Sequence, residues 1–220
     1  MTTIYIKIIT IIQLMIKYSL IIIPIIDMIS RVFAGNTLSA TTFIRHAIIF
    51  DKKMPSLYVT NNYQVDDNLK NYVYSMEHIF PRSHLNKKDA NDMHNVIKTL
   101  NDLNVNRSNY KYTDVITDDK HWIKLDFDNY VNHKQRLFIP NQISRGFISR
   151  AILYMSKEYD YSPHKIIDKC TLLKWFYDYP PSPCEKYHNE VIKKLQNKNN
   201  IFISKYNKKS KEILKFLQNL

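Results

Sequence analysis

A chain of 220 residues can bury one sizeable core, and its length favours one domain over two. Lysine and arginine outnumber aspartate and glutamate 32 to 20, a formal charge of +12 that makes nucleic acid the first partner to consider. A compositional bias toward Ile, Asn, Lys and Tyr, with only 2 glycines, would give the same charge without selection for binding. The 2 cysteines, Cys170 and Cys184, form no CxxC and disfavour structural zinc, although they could pair if the protein is exported. The chain has no HExxH and nothing resembling a Gly-rich phosphate loop, which disfavours a metalloprotease.

Residues 1 to 33 are dominated by isoleucine, and Lys7 and Lys17 split them into apolar halves. Neither half reaches the roughly 20 apolar residues that span a bilayer. Val32-Phe33-Ala34 fits a secretory signal cut after Ala34, whereas Asp27 and Arg31 sit awkwardly close to an apolar core. An uncleaved membrane anchor and a buried core helix are the competing readings. On the first two, residues 1 to 34 are leader or anchor and 35 to 220 form the single folded domain.

Residues 37 to 73, with turn signals at Pro55 and Asn61-Asn62, are expected to supply a helix and loops. The segment YSMEHIFPRSH, residues 74 to 84, begins extended, and residues 82 to 92 read as a polar loop carrying Lys87 and Lys88. Residues 93 to 98 favour an extended conformation, and a helix is expected to start at Thr99, with Asp102 three residues on and Leu100, Leu103 and Arg107 at helical spacing. The local expectation is thus a β-hairpin closed by one helix. HWIKLDFDNYV reads as one alternating strand ending before Pro140. Residues 142 to 158 read as an amphipathic helix with Ile143, Phe147, Ala151, Tyr154 and Met155 on one face and Arg145 and Ser149 on another. Further helices are expected over 166 to 177 and 185 to 196, followed by a solvated helical tail rich in lysine.

Chemistry concentrates at Glu77, His78 and Asn104. Adjacent strand residues face opposite sides, but Pro81 holds Phe80 extended and ends the strand near the pair, so Glu77 can face a metal while His78 faces a water. One carboxylate and one amide oxygen suit Mg²⁺, which keeps several waters and accepts phosphate oxygens. The ion would retain positive charge to stabilise a scissile phosphate and its leaving oxygen. A neutral His78 with one nitrogen fixed by a backbone carbonyl can take a proton from the attacking water. Taken singly these residues say little: a Glu-His pair is common, Asn104 alone suits a helix surface, His94 suits a core, and His84 has no evident partner. Asn106-Arg107-Ser108 matches the glycosylation pattern, but within the expected helix it reads as a chance match.

As a spaced set, MEHIFPRS, DMHN and LNVNRSNY resemble the endonuclease I family of sugar-nonspecific nucleases, which belongs to the His-Me finger group. RGFISRAILYM and WFYDYPPSPCEKYHNEVIKKLQNKNNIFI extend the likeness over residues 72 to 203. The resemblance implies an α+β fold with a ββα-metal core at about residues 72 to 112. It implies hydrolysis of DNA or RNA to 5′-phosphate and 3′-hydroxyl ends, with one Mg²⁺, little base preference and a secreted or periplasmic location. Mn²⁺ or Ca²⁺ would be substitute ions, and a monomer is expected. His78 takes the place of the general base, and Glu77 and Asn104 those of the metal ligands. Arg107, Asn109, Arg145 and Arg150 match further family positions suited either to phosphate contact or to holding the motif helix, and Arg82 is a candidate phosphate contact by proximity. The chain departs from the pattern at Ile97-Lys98, where proline is usual, and at His188 and Asn200, where arginine and proline are usual. A nucleic-acid-binding protein with a nuclease-like fold and no catalysis is the alternative.

Overall fold

The structure, a computed structural model, describes residues 56–59, 73–117, 120–207 and 210–220. All of them lie in one unit, Lys52–Leu220. The expected leader or anchor, and most of the segment from 37 to 73, lie outside the described residues. Among the described residues, no helix is long and apolar enough to cross a membrane.

The protein is α+β, with two small sheets packed among helices. Strands β2 (Tyr74–His78) and β3 (Val96–Leu100) pair antiparallel, with Glu77 opposite Ile97, and helix α1 (Asn101–Arg107) follows β3 directly. Strand β1 (Ser56–Leu57) adds in parallel to the other side of β3. The helix begins two residues later than Thr99, where the sequence placed it. Thr99 is paired with Ser75 on one side and Leu57 on the other, and its hydroxyl donates to the Leu57 carbonyl at 2.6 Å. Two ladders and a buried hydroxyl bond outweigh the local helix signal, and Leu100 at the N-cap offers no side-chain cap. Residues 93–95 are not extended but form a short turn, because the Asp92 side chain accepts from the His94 N–H at 2.9 Å.

The second sheet has the order β4-β7-β6-β5, from β4 (Lys111–Tyr112), β5 (Trp122–Leu125), β6 (Asn129–Asn132) and β7 (Leu137–Ile139). The single strand expected over HWIKLDFDNYV is two strands. Phe127 and Asp128 take left-handed backbone angles, φ 58° and 57°, and fold the chain back on itself between β5 and β6. Buried Asn129 stitches this sheet to its surroundings: its amide donates to the carbonyls of Tyr58 and Asp126, and its oxygen accepts from the Asn141 N–H.

Helix α2 (Gln142–Tyr159) is capped by the Asn141 side chain. It is central rather than amphipathic. Every residue from Gly146 to Ser156 is buried, whereas Ile143 is 41% exposed. Ser149 and Arg150 survive burial because both are satisfied: the Ser149 hydroxyl donates to the Gly146 carbonyl, and Arg150 is paired with Glu185. Helices α3 (Lys169–Asp178), α4 (Pro183–Gln196), α5 (Ile201–Ser204) and α6 (Lys211–Gln218) complete the layer. Asp168, Ser182 and Asn200 cap the first three. His188 and Asn200, where the family usually has other residues, are both buried. His188 lies against Phe147, and the Asn200 amide donates to the Arg150 carbonyl. The tail is not wholly solvated, since Ile213 and Leu217 of α6 are buried. Cys170 is exposed and Cys184 half-buried, and both are free.

Candidate active site

Alternation along β2 turns Ser75 and Glu77 to one side and Met76 and His78 to the other. Helix α1 lies over the first side. The Asn104 amide nitrogen donates to Ser75 Oγ at 2.9 Å and to the Met76 carbonyl at 3.1 Å. One turn later, Arg107 Nη1 lies 3.0 Å from Glu77 Oε1. Asn104 and Glu77 are therefore gathered on the same side of one strand. With its nitrogen fixed to β2, the Asn104 amide keeps Oδ1 as an acceptor, and among the described residues no donor reaches it.

Glu77 is 2% exposed. Its Oε1 also accepts from the Tyr58 hydroxyl at 2.8 Å and lies 3.5 Å from that of Tyr112, and the two hydroxyls are 2.7 Å apart. Burial lifts the Glu77 pKa above the ordinary carboxylate value, while Arg107, both tyrosines and the His78 backbone N–H pull it back. Oε1 is thus fully engaged, and a cation could reach the carboxylate only through Oε2. Among the described residues, no three His, Cys, Asp or Glu side chains cluster as metal ligands. A cation here would be held by Glu77 Oε2 and Asn104 Oδ1, completed by water or substrate oxygens, a donor set that fits Mg²⁺.

His78 Nε2 lies 3.0 Å from the Ala90 carbonyl. A carbonyl only accepts, so Nε2 carries the proton and Nδ1 presents the lone pair. Burial lowers the His78 pKa, the Ala90 bond raises it, and the charges of Arg82 and Arg107 lower it further, with a net downward shift. The imidazole is consequently neutral at neutral pH. The chain just beyond it is clamped by Asn95, whose side chain accepts from the Phe80 N–H at 2.7 Å and donates to the Phe80 carbonyl at 3.0 Å.

Of the other residues singled out in the sequence, Arg107 is 1% exposed and donates to the carbonyls of His78 and Ile79, so it ties α1 to the end of β2. Arg150 is 2% exposed, forms a two-pronged pair with Glu185 and donates to the Tyr179 carbonyl. Both therefore hold structure. Arg145 donates to the Pro140 carbonyl and lies over Trp175. Arg82 is exposed in the turn that follows the histidine, and Asn109 links Ser83 of that turn to Arg136. His94 is buried against Tyr154, with Nε2 at the Lys198 carbonyl. Sequence reasoning missed Tyr58 and Tyr112. Tyr112 stands two residues beyond the LNVNRSNY motif, but Tyr58 stands in a stretch with no motif and reaches Glu77 only through the fold.

The domain is basic and α+β, and its β2–β3–α1 unit carries the imidazole of His78, the carboxylate of Glu77 and the amide of Asn104. The chain belongs to the Endonuclease I family, whose sequence pattern matches residues 45–207. It is 34% identical over 116 residues to an extracellular deoxyribonuclease of Aeromonas hydrophila, covering 52% of this chain and 49% of the relative. A periplasmic deoxyribonuclease of the same organism is 32% identical over 123 residues, 54% of this chain and 49% of the relative. Endonuclease-1 of Buchnera aphidicola subsp. Baizongia pistaciae (strain Bp) is 28% identical over 117 residues, 53% of this chain and 47% of the relative. The chain spans about half the length of the relatives it matches.

Proposed function

We propose that the protein is a metal-dependent endonuclease that hydrolyses DNA or RNA to 5′-phosphate and 3′-hydroxyl ends with little base preference. The observation that carries this reading is the His78–Ala90 bond, which leaves an unprotonated Nδ1 at the end of the strand that also bears Glu77. His78 is the general base: Nδ1 takes a proton from the attacking water, and the Ala90 carbonyl, bonded to the other ring nitrogen, steadies the imidazolium that forms. Glu77 and Asn104 hold the metal from one side of β2. A bound Mg²⁺ would supply positive charge to the scissile phosphate and the leaving oxygen. Arg107 positions the pair by fixing the backbone of His78 and Ile79. Extracytoplasmic action is part of the proposal, supported by the extracellular and periplasmic relatives.

One observation favours a second reading, a nucleic-acid-binding protein without catalysis. Arg107 already compensates the Glu77 charge, which weakens its hold on a cation. A plasmid nicking assay separates the two. Nicking with Mg²⁺ that is lost with chelator and in His78→Ala supports the enzyme, whereas DNA binding without nicking in any divalent metal supports the second reading.

A further inference from the structure

Beyond the histidine, a second constellation lies on the surface, where the loop between β6 and β7 meets the end of α1. Arg136 takes a left-handed φ of 57° in that loop and is exposed. Its guanidinium lies 5.0 Å from the centre of the Tyr110 ring, and its Nη2 donates to Asn109 Oδ1 at 2.5 Å. The Tyr110 hydroxyl lies 3.3 Å from His133 Nδ1, and the two rings meet edge to face at 5.8 Å. The Asn109 amide reaches Ser83 Oγ at 3.4 Å, and Ser83 follows Arg82 in the turn beyond His78.

Three features mark this as a built site. The arginine is held by stacking and one hydrogen bond, so little of its rotamer freedom remains to be lost on binding. Only one of its N–H groups is used, and among the described residues Nε and Nη1 have no partner. The segments that compose it, residues 80 to 88, 103 to 113 and 129 to 141, contain no aspartate or glutamate but carry Lys111 and Lys134 as well as the arginines. No carboxylate in these segments compensates the exposed charge.

We propose that Arg136, pre-set by Tyr110 and Asn109, is an accessory phosphate-binding subsite for a nucleic-acid strand, engaging a phosphate that flanks the one presented to His78. This rests on the endonuclease reading for the direction of the strand, but not for the binding itself. One face of the Tyr110 ring is taken by the guanidinium, so the subsite offers a charged fork to phosphate rather than a stacking face to a base. Its contribution is accordingly independent of sequence.

The test is fluorescence anisotropy of the full chain with two labelled duplexes of unrelated sequence, in chelator so that no cleavage occurs, across a salt series. Arg136→Gln is expected to weaken both duplexes equally, by about tenfold, and to reduce the slope of log K against log salt by about 0.9, the value for one phosphate contact. Arg136→Lys keeps the charge and is expected to hold the slope while losing part of the affinity. This second variant carries the test if Arg136→Gln melts earlier than wild type. Unchanged affinity and slope overturn the proposal, as does a loss confined to one sequence or a wild-type chain that binds neither duplex. If the wild type nicks plasmid and Arg136→Gln binds normally, the subsite fails while the enzyme stands. If it does not nick but depends on Arg136 for binding, the reverse holds.

Discussion

Arg107 Nη1 lies 3.0 Å from Glu77 Oε1, with both side chains almost wholly excluded from solvent. The same guanidinium donates to the carbonyls of His78 and Ile79, so one buried cation fixes both the carboxylate and the backbone of the candidate base. Removing it leaves the buried Glu77 carboxylate hydrogen-bonded to Tyr58 but without a countercharge. Arg107→Ala is expected to lower stability by about 3 to 5 kcal/mol. Arg107→Lys should lose less, since it keeps the charge but lacks the fork that reaches two carbonyls. Denaturant unfolding of both variants measures the difference, and equal losses would mean that charge alone is not the reason.

His78 is held neutral chiefly by burial, so its pKa lies below the ordinary histidine value. The base is competent above that lowered pKa and is lost as pH falls through it. The acid limb of the pH–rate profile is therefore expected below about 6.5, the unperturbed histidine value. His78→Ala is expected to lower the rate by about 10²- to 10⁴-fold. A limb above that value would place the titrating group elsewhere.

His188 is buried beside Phe147, and burial, aided by the nearby His94, pushes its pKa down to about 3. Between that value and about 6.5 the unfolded chain binds a proton that the folded chain does not, so stability rises with pH across this window. At pH 5 this one group costs about 2 kcal/mol relative to pH well above 7. His188→Gln removes the titration and should flatten the stability profile between pH 4 and 6.5, read from denaturant midpoints. An unchanged profile would show that His188 protonates in the folded state.

Gly146 sits inside α2, where alanine normally gains about 1 kcal/mol over glycine. Here an added Cβ would stand 2.3 Å from the Tyr179 carbonyl oxygen, which is backbone and gives way poorly. The clash outweighs the propensity, and Gly146→Ala is expected to destabilise by about 1 to 3 kcal/mol. A raised thermal midpoint would contradict this close approach of α2 to the turn before α4.

The sequence made the motif order legible: strand, polar loop, strand, helix, with Glu77, His78 and Asn104 in place and a backbone carbonyl expected behind the imidazole. The helices near 142, 166 and 185 were readable from apolar spacing and flanking prolines. Non-local pairing was not. Thr99 looks like a helix start until Leu57 and Ser75 flank it, and nothing before Leu125 announces the reversal at Phe127 and Asp128. Arg107 and Arg150 carry no local mark that separates a phosphate contact from a buried strut, because their partners, Glu77 and Glu185, are 30 and 35 residues away. Burial of Ser149 and Arg150 inside α2 likewise depends on helices that come later in the chain.

The most direct test of a cation held between Glu77 and Asn104 is the Mg²⁺ dependence of plasmid nicking by the wild type and Asn104→Ala, with folding of the variant verified by its unfolding midpoint. The account predicts nicking by the wild type that vanishes without divalent metal, and a variant that stays folded but needs far more Mg²⁺ or is inactive. Metal-independent nicking by the wild type, or an unaltered Mg²⁺ requirement in the variant, would contradict it.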